Sequence, residues 1–273
     1  MAKHAILSLL GGVIHPTAIV HPKARLDSTV RVGAYAVIDE GVELGPQCTL
    51  GPHVYLTGLT TIGAYNQFFA GCVVGEAPQD LKYQGAPTRL RIGDYNVLRE
   101  HVTVHRSTRV AEETVIGSHN LLMAHSHVAH NCRVGNHIIV ANGALLAGYA
   151  VVDDRAFVSG NCLVHQFVRI GTLALMQGGA AISKDLPPFT VARGHNGICG
   201  LNTLGLRRAG ITAPERLELK QLYHALFRQD LSLSAALTSA ERQFTSHCAK
   251  IMIEFLNASK RGVCVDTGAE AKP

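Results

Sequence analysis

The sequence predicts an all-β fold, a left-handed parallel β-helix of six-residue repeats, followed by a small α-helical C-terminal domain. Three observations carry this reading. A large apolar residue recurs at every sixth position from Ile14 to Ile182, through Val20, Leu26 and Val32 to Ile170 and Met176, and only Asp80 and Ala86 break the series. The residue after this slot is glycine at 33, 45, 51, 63, 75, 93, 117, 135 and 171, and four positions after it the residues are small.

A strand repeats every two residues and a helix every 3.6. A period of six therefore means that each short strand ends in a turn before the next begins, and three such segments close one triangular coil of about eighteen residues, with the slots stacked inside as ladders. The glycines are expected at the corners, where a positive φ costs them little. Cys48, Cys72, Cys132 and Cys162 all lie four places past a slot, which makes them small core fillers. Asp80 and Ala86 fall within Gln79–Leu90, a polar stretch containing Gly and Pro, and mark a loop over 79–91 thrown out from the coil. Loops on rigid scaffolds tend to carry function.

The frame ends after Pro187 and Pro188, so the β-helix is assigned to residues 1–190 and a helical domain to 191–262. Thr212-Ala213-Pro214-Glu215 has capping-box spacing. Leu219, Leu222, Tyr223, Leu226 and Phe227 line one face of the helix it opens. A second helix carries Leu233, Leu237, Ala240, Phe244, Cys248, Ile251 and Phe255 at three- and four-residue steps. The tail, 263–273, reads as disordered.

The chain of 273 residues has 27 glycines, no tryptophan and 16% charged residues, where about 25% is usual. Its Lys and Arg are scattered without an interleaved aromatic strip, so no nucleic-acid partner is expected. The net charge of +5 suits an acidic partner or a phosphorylated substrate. Seven cysteines without a C-x-x-C signal neither a disulfide framework nor a zinc knuckle. Ala5–Ile14 follows Lys3 and His4 but lacks an A-x-A cleavage site, and no run reaches the roughly 18 apolar residues of a membrane span.

Histidine is the anomaly. Of 15, five (His119, His125, His127, His130 and His137) are packed together on a scaffold whose slots are already filled, so most must point outward. The eighteen-residue step stacks His130, Gly148 and Gln166 on one edge, with His165 and Tyr149 beside them. An imidazole is a natural general base near neutral pH, and backbone N–H groups on that edge could receive an oxyanion. The spacing of His125, His127 and His130 leaves a zinc site open, which would resemble the gamma-class carbonic anhydrases.

The stretches NQFFAGCVVGEAPQDLKYQGAPT, LLMAHSHVAHNC, LVHQF, DLPPF and NTLGLRRAG together resemble the bacterial UDP-N-acetylglucosamine acyltransferases that begin lipid A synthesis, from Ile14 to about Gly210. The resemblance implies a cytoplasmic homotrimer with active sites in clefts between subunits. It also implies an R-3-hydroxyacyl chain delivered by acyl carrier protein to the 3-hydroxyl of the UDP-sugar, with no cofactor and no metal. His130 matches the general base and Gly148 the oxyanion-binding N–H. Asp80, Lys82, His127, His165 and Gln166 match residues around the sugar nucleotide, Asn202 and Arg208 match residues near the uridine and phosphates, and Gly178 matches the position that sets acyl length. The chain departs from the family pattern at Tyr149, where a histidine is usual, at Asn131, where an aspartate is common, and at Leu204, in place of a glutamate. Transfer to a 3-amino analogue of the sugar and a non-enzymatic scaffold are the other readings. The sister N-acyltransferase is set aside because the repeat begins at Ile14, without its extra N-terminal domain.

Overall fold

A computed structural model describes residues 13–229 and 231–268. Most of the Ala5–Ile14 stretch, and residues 269–273 of the tail, lie outside them. The described chain winds as short parallel strands on three faces. Face 1 runs from Ile19–Val20 to Ala181–Ile182, face 2 from Arg25–Leu26 to Arg169–Ile170, and face 3 starts at Arg31–Val32. The slot residues form the ladders: Val128, Leu146, Val164 and Ile182 stand in register on face 1, all buried.

Two coils are longer than the rest. Ile62 pairs with Ile92, thirty residues on, and Ile92 with Ile116, twenty-four on. The first insertion is the loop anticipated around Asp80, occupying 77–88. The second, 106–112, hides in the sequence because it adds six residues and preserves the frame. Val110 falls on the slot, yet it stands half exposed in this loop instead of entering a ladder.

The glycines after the slot do not supply the corner conformation. Among those nine only Gly75 has a positive φ. The left-handed residues come two positions later and are mostly not glycine: Tyr35, His119, Asn131, Tyr149 and Phe167 have φ between 57° and 65°. What the glycines permit is close stacking of coils. A Cβ on Gly33 would lie 2.8 Å from the Gly51 carbonyl carbon, and one on Gly117 would lie 2.4 Å from the Gly135 carbonyl oxygen.

The position four after the slot is small in most coils, but three consecutive coils bury asparagine there. The backbone N–H of Asn96 donates to Asn66 Oδ1 (2.9 Å), that of Asn120 to Asn96 Oδ1 (3.0 Å), and that of Ile138 to Asn120 Oδ1 (2.8 Å). Their amide groups donate to the carbonyls of Gly93, Gly117 and Gly135, so the buried amides are satisfied. The cysteines at this position are buried and free, and burial pushes the Cys132 thiol up to about 12. These are inert fillers, as their place in the repeat requires.

The helical domain begins later than the repeat's end suggests. Thr190–Arg193 and Gly197–Leu201 extend face 3, and Val265–Asp266, in the stretch expected to be disordered, pairs with Gly197–Leu201. Val263 and Cys264 are buried, and that apolar pair ties down the described part of the tail. Helix α1 (Thr203–Arg208) precedes the expected α2 (Ala213–Phe227), whose Thr212–Glu215 capping box forms. The second expected helix is two, α3 (Leu233–Gln243) and α4 (His247–Asn257). It breaks because Ser246 caps α4, while Glu218 accepts the N–H groups of Thr245 and Ser246 at 2.8 and 3.2 Å. These helices pack around Phe189, Leu222, Leu237, Phe244 and Met252.

Candidate active site

The edge where face 1 turns into face 2 gathers most of the functional side chains, because both insertions leave the coil there. The 77–88 loop follows strand Val73–Glu76 and the 106–112 loop follows Thr103–His105, each before its face 2 strand. On the next coils the same edge carries His130, then Gly148, then Gln166. Arg106 holds the first loop in place: its guanidinium donates to the Gly75 carbonyl (2.7 Å) and to Tyr83 Oη (3.3 Å) and lies over the Tyr83 ring.

Two cavities meet at this edge. One, of about 480 Å³, is an apolar groove along face 1 floored by Leu145, Ala147, Leu163, Ala181 and Ile182, with His105, His127 and His165 beside it. The other, of about 850 Å³, is polar and lies under the loops, with Asp80, Lys82, Tyr83, Thr108, Arg109, Tyr149 and Gln166. His130 and Gln79 line both.

The His130 ring lies directly over Gly148. A Cβ at Gly148 would fall 2.5 Å from its Cε1 and 2.7 Å from its Nε2. Among the described residues the Gly148 N–H has no acceptor, although the neighbouring Tyr149 N–H donates to the His130 carbonyl at 3.0 Å. An unpaired N–H beside an imidazole is what an oxyanion forming there would meet. His130 Nδ1 lies 2.9 Å from Asn131 Oδ1, and Asn131 Nδ2 donates to Glu112 at 2.5 Å. The Tyr149 ring stands edge-on to His130 and its hydroxyl meets Thr108 Oγ1 at 3.2 Å.

Burial disfavours the protonated form of two imidazoles beside the groove. Burial, and then the neighbouring His127, push His105 down to about 4, and burial likewise lowers His127, whose Nδ1 meets Thr103 Oγ1 at 2.7 Å. His165 sits at the mouth of the groove with Arg261 at 3.4 Å.

The remaining expected residues fall elsewhere in the chain. Asn202 caps α1: its Oδ1 accepts from the Gly205 N–H (3.0 Å) and its Nδ2 donates to the Leu173 carbonyl (2.9 Å). That is the edge between faces 2 and 3. Arg208 ends α1, exposed, and lines neither cavity. Gly178 lies at the turn from face 3 into face 1, exposed, and a Cβ on it would stand 3.6 Å from the Gly160 carbonyl. It lines neither cavity and sits at the opposite edge of face 1 from His130.

The histidine cluster divides. His119 and His137 continue a stack of corner rings with Tyr65 and Tyr95, at centroid spacings of 4.7 to 5.0 Å. His125 stacks on His101 at the turn into face 1. It therefore does not converge with His127 and His130, and among the described residues no three His, Cys, Asp or Glu side chains form a metal cluster. Sequence reasoning missed Gln79, His105, Tyr83, Arg106, Thr108, Glu112 and Arg261. Gln79 adjoins Asp80 and His105 directly follows a slot, which were available signals, whereas Thr108 and Glu112 lie in the insertion that the unbroken frame conceals.

Comparison with known proteins sets the chain beside one group of acyltransferases. A family model described as UDP N-acetylglucosamine O-acyltransferase, domain 2, matches residues 185–264, and one for the six-repeat bacterial transferase hexapeptide matches residues 113–148. The chain is 42% identical over 253 residues to the acyl-[acyl-carrier-protein]–UDP-N-acetylglucosamine O-acyltransferase of Myxococcus xanthus, covering 92% of this chain and 98% of the relative. It is 45% identical to the enzyme of that name from Gloeothece citriformis, over 90% of both chains. Among solved structures it superposes on the Francisella novicida UDP-N-acetylglucosamine acyltransferase with a TM-score of 0.90 at 32% identity, over 93% of this chain and 95% of that one. That structural likeness gives the left-handed β-helix with its small helical domain.

Proposed function

This chain belongs to the UDP-N-acetylglucosamine O-acyltransferase family, and from that premise we propose that it transfers an R-3-hydroxyacyl chain from acyl carrier protein to the 3-hydroxyl of UDP-N-acetylglucosamine, opening lipid A synthesis. The observation that carries the reading is the meeting of an apolar groove and a polar cavity at His130. The groove suits the acyl chain and the polar cavity the sugar nucleotide. The thioester carbonyl then lies at the junction, beside the Gly148 N–H.

His130 Nε2 takes the proton from the sugar hydroxyl as its oxygen bonds to the thioester carbon. The carbonyl oxygen becomes an oxyanion held by the Gly148 N–H. Collapse breaks the carbon–sulfur bond, and the imidazolium returns its proton to the departing thiolate. General-base help of this kind contributes about 10²- to 10⁴-fold. The thioester is already activated, so the scheme calls for no cofactor and no metal. Asp80 and Lys82 face the sugar nucleotide from the loop, with His127, His165 and Gln166 around the junction.

The working unit is a homotrimer in the cytoplasm. What supports a shared site is that Asn202 lies along a different edge of the coil from His130 and Arg208, at the exposed end of α1, lines neither cavity, so that nucleotide contacts from them would come from a neighbouring copy. No helix among the described residues is long and apolar enough to cross a membrane. No observation favours the 3-amino acceptor, the zinc hydratase or the inert scaffold. The test is to incubate the protein with UDP-N-acetylglucosamine and 3-hydroxyacyl carrier proteins of several lengths and to identify products by mass spectrometry. An O-acylated UDP-sugar is expected, and no acylated product with any donor would overturn the proposal.

A further inference from the structure

We infer that Glu112 and Asn131 lock His130 in the tautomer with its proton on Nδ1, which makes Glu112 a positioning residue for the transfer; the catalytic consequence rests on His130 being the base. Which ring nitrogen carries the proton is set by what the other atoms around it can accept or donate. Here that question reduces to which way the Asn131 amide points. Two partners that cannot change role decide it. The Thr108 backbone N–H, which can only donate, lies 3.0 Å from Asn131 Oδ1, and the Glu112 carboxylate, which accepts, lies 2.5 Å from Nδ2. Rotating the amide by half a turn would set N–H against N–H and oxygen against carboxylate. The oxygen therefore faces His130. Since an amide oxygen only accepts, Nδ1 at 2.9 Å must be the donor.

Nε2 is then left with a lone pair, on the nitrogen that faces Gly148 and the junction of the two cavities. The support extends outward. Thr108 Oγ1 also lies 3.0 Å from Asn131 Oδ1, the Asn131 N–H donates to Thr114 Oγ1 at 2.7 Å, and Arg109 sits 3.3 Å from the other oxygen of Glu112. Asn131 is buried and holds a φ of 59°, a conformation asparagine tolerates better than most residues. An aspartate at 131 would bring a second carboxylate against Glu112, and like charges so close cannot both ionise freely. The amide thus conveys the carboxylate's polarity to the imidazole without placing a charge beside it.

The direct readout is the ¹⁵N spectrum of protein labelled with [¹⁵N]histidine, His130 being assigned by its disappearance in His130→Ala. The expected wild-type signal is protonated Nδ1 with unprotonated Nε2. Finding the proton on Nε2 overturns the inference whatever the activity. Glu112→Leu removes the acceptor, and should move the proton toward Nε2 and lower kcat by roughly ten- to a hundredfold with KM for the UDP-sugar unchanged. Glu112→Gln keeps an acceptor and should retain the Nδ1–H signal and most of kcat. A kcat within twofold of wild type in Glu112→Leu, or an equal loss in Glu112→Gln, removes Glu112 from the positioning role. The spectrum is read without substrate, so an active His130→Ala would defeat the base assignment while the tautomer result still stands or falls by itself.

Discussion

Replacing Gly148 with alanine adds one methyl group where the His130 imidazole already lies. The new Cβ would fall 2.5 Å from Cε1 and 2.7 Å from Nε2. Carbon contacts settle near 3.5–4.0 Å, so either the ring or the turn must yield by about 1 Å. Asn131 restrains the ring on its Nδ1 side, and the Tyr149 N–H bond to the His130 carbonyl restrains the turn. A misplacement of that size costs about a hundredfold in rate, or roughly 2.7 kcal/mol of activation free energy. The expected result is a kcat about a hundredfold below wild type, measured with a 3-hydroxyacyl carrier protein donor and UDP-N-acetylglucosamine. The thermal midpoint should change little, because the displaced ring borders a cavity with room to receive it. Gly160→Ala is the control: its Cβ would meet only the Asn142 carbonyl, at 3.4 Å, and activity should persist. A Gly148→Ala enzyme within threefold of wild type would refute the placement of reacting atoms between Gly148 and His130.

Four further outcomes follow from particular contacts. His130→Ala should reduce transfer by at least about a hundredfold while circular dichroism stays unchanged, since the ring belongs to no ladder; activity within tenfold would remove it as the base. Gly178 lines neither cavity of the single chain, so Gly178→Met tests whether an acyl chain crossing face 1 reaches that far edge: a shift toward shorter donors, each methylene denied burial forfeiting roughly 0.8 kcal/mol, is the expected result, and an unchanged ratio of long- to short-chain rates would place the end of the chain elsewhere. Asn120→Leu leaves the Gly135 carbonyl and the Ile138 N–H without their buried partner, a loss of roughly 2–6 kcal/mol at about 1–3 per group; a calorimetric loss below about 1 kcal/mol would contradict the ladder's role. His105, held down at about 4 by burial, takes up protons more readily unfolded than folded, so stability should fall as pH drops from about 6.5 toward 4. His105→Asn should flatten part of that fall in urea midpoints, with His127 supplying the remainder, and an unaltered slope would show that His105 does not titrate this way.

The fold was legible because a period of six leaves few alternatives: Val128, Leu146, Val164 and Ile182 must stack once each segment ends in a turn. The same arithmetic put His130 above Gly148, since a parallel coil places residues eighteen apart on one edge. It could not reveal the 106–112 loop, because six added residues leave the count untouched, and so Thr108 and Glu112 stayed hidden. Nor could it assign the glycines, whose role is the few ångströms between adjacent coils and not their own φ.

By itself the sequence determined the repeating coil, the loop at Asp80, the small cysteine fillers and the histidine and glycine of the candidate site, all consequences of local periodicity and of a family likeness spread along the chain. The tertiary structure alone decided which histidines meet. His119, His125 and His137 stack as corner rings, whereas His105, His127 and His130 share a cleft, and residues adjacent in sequence part company because successive segments turn onto different faces. It also decided that a carboxylate nineteen residues before Asn131 completes the hydrogen bonds around His130, for two loops leaving the same edge come together only when the coils are stacked.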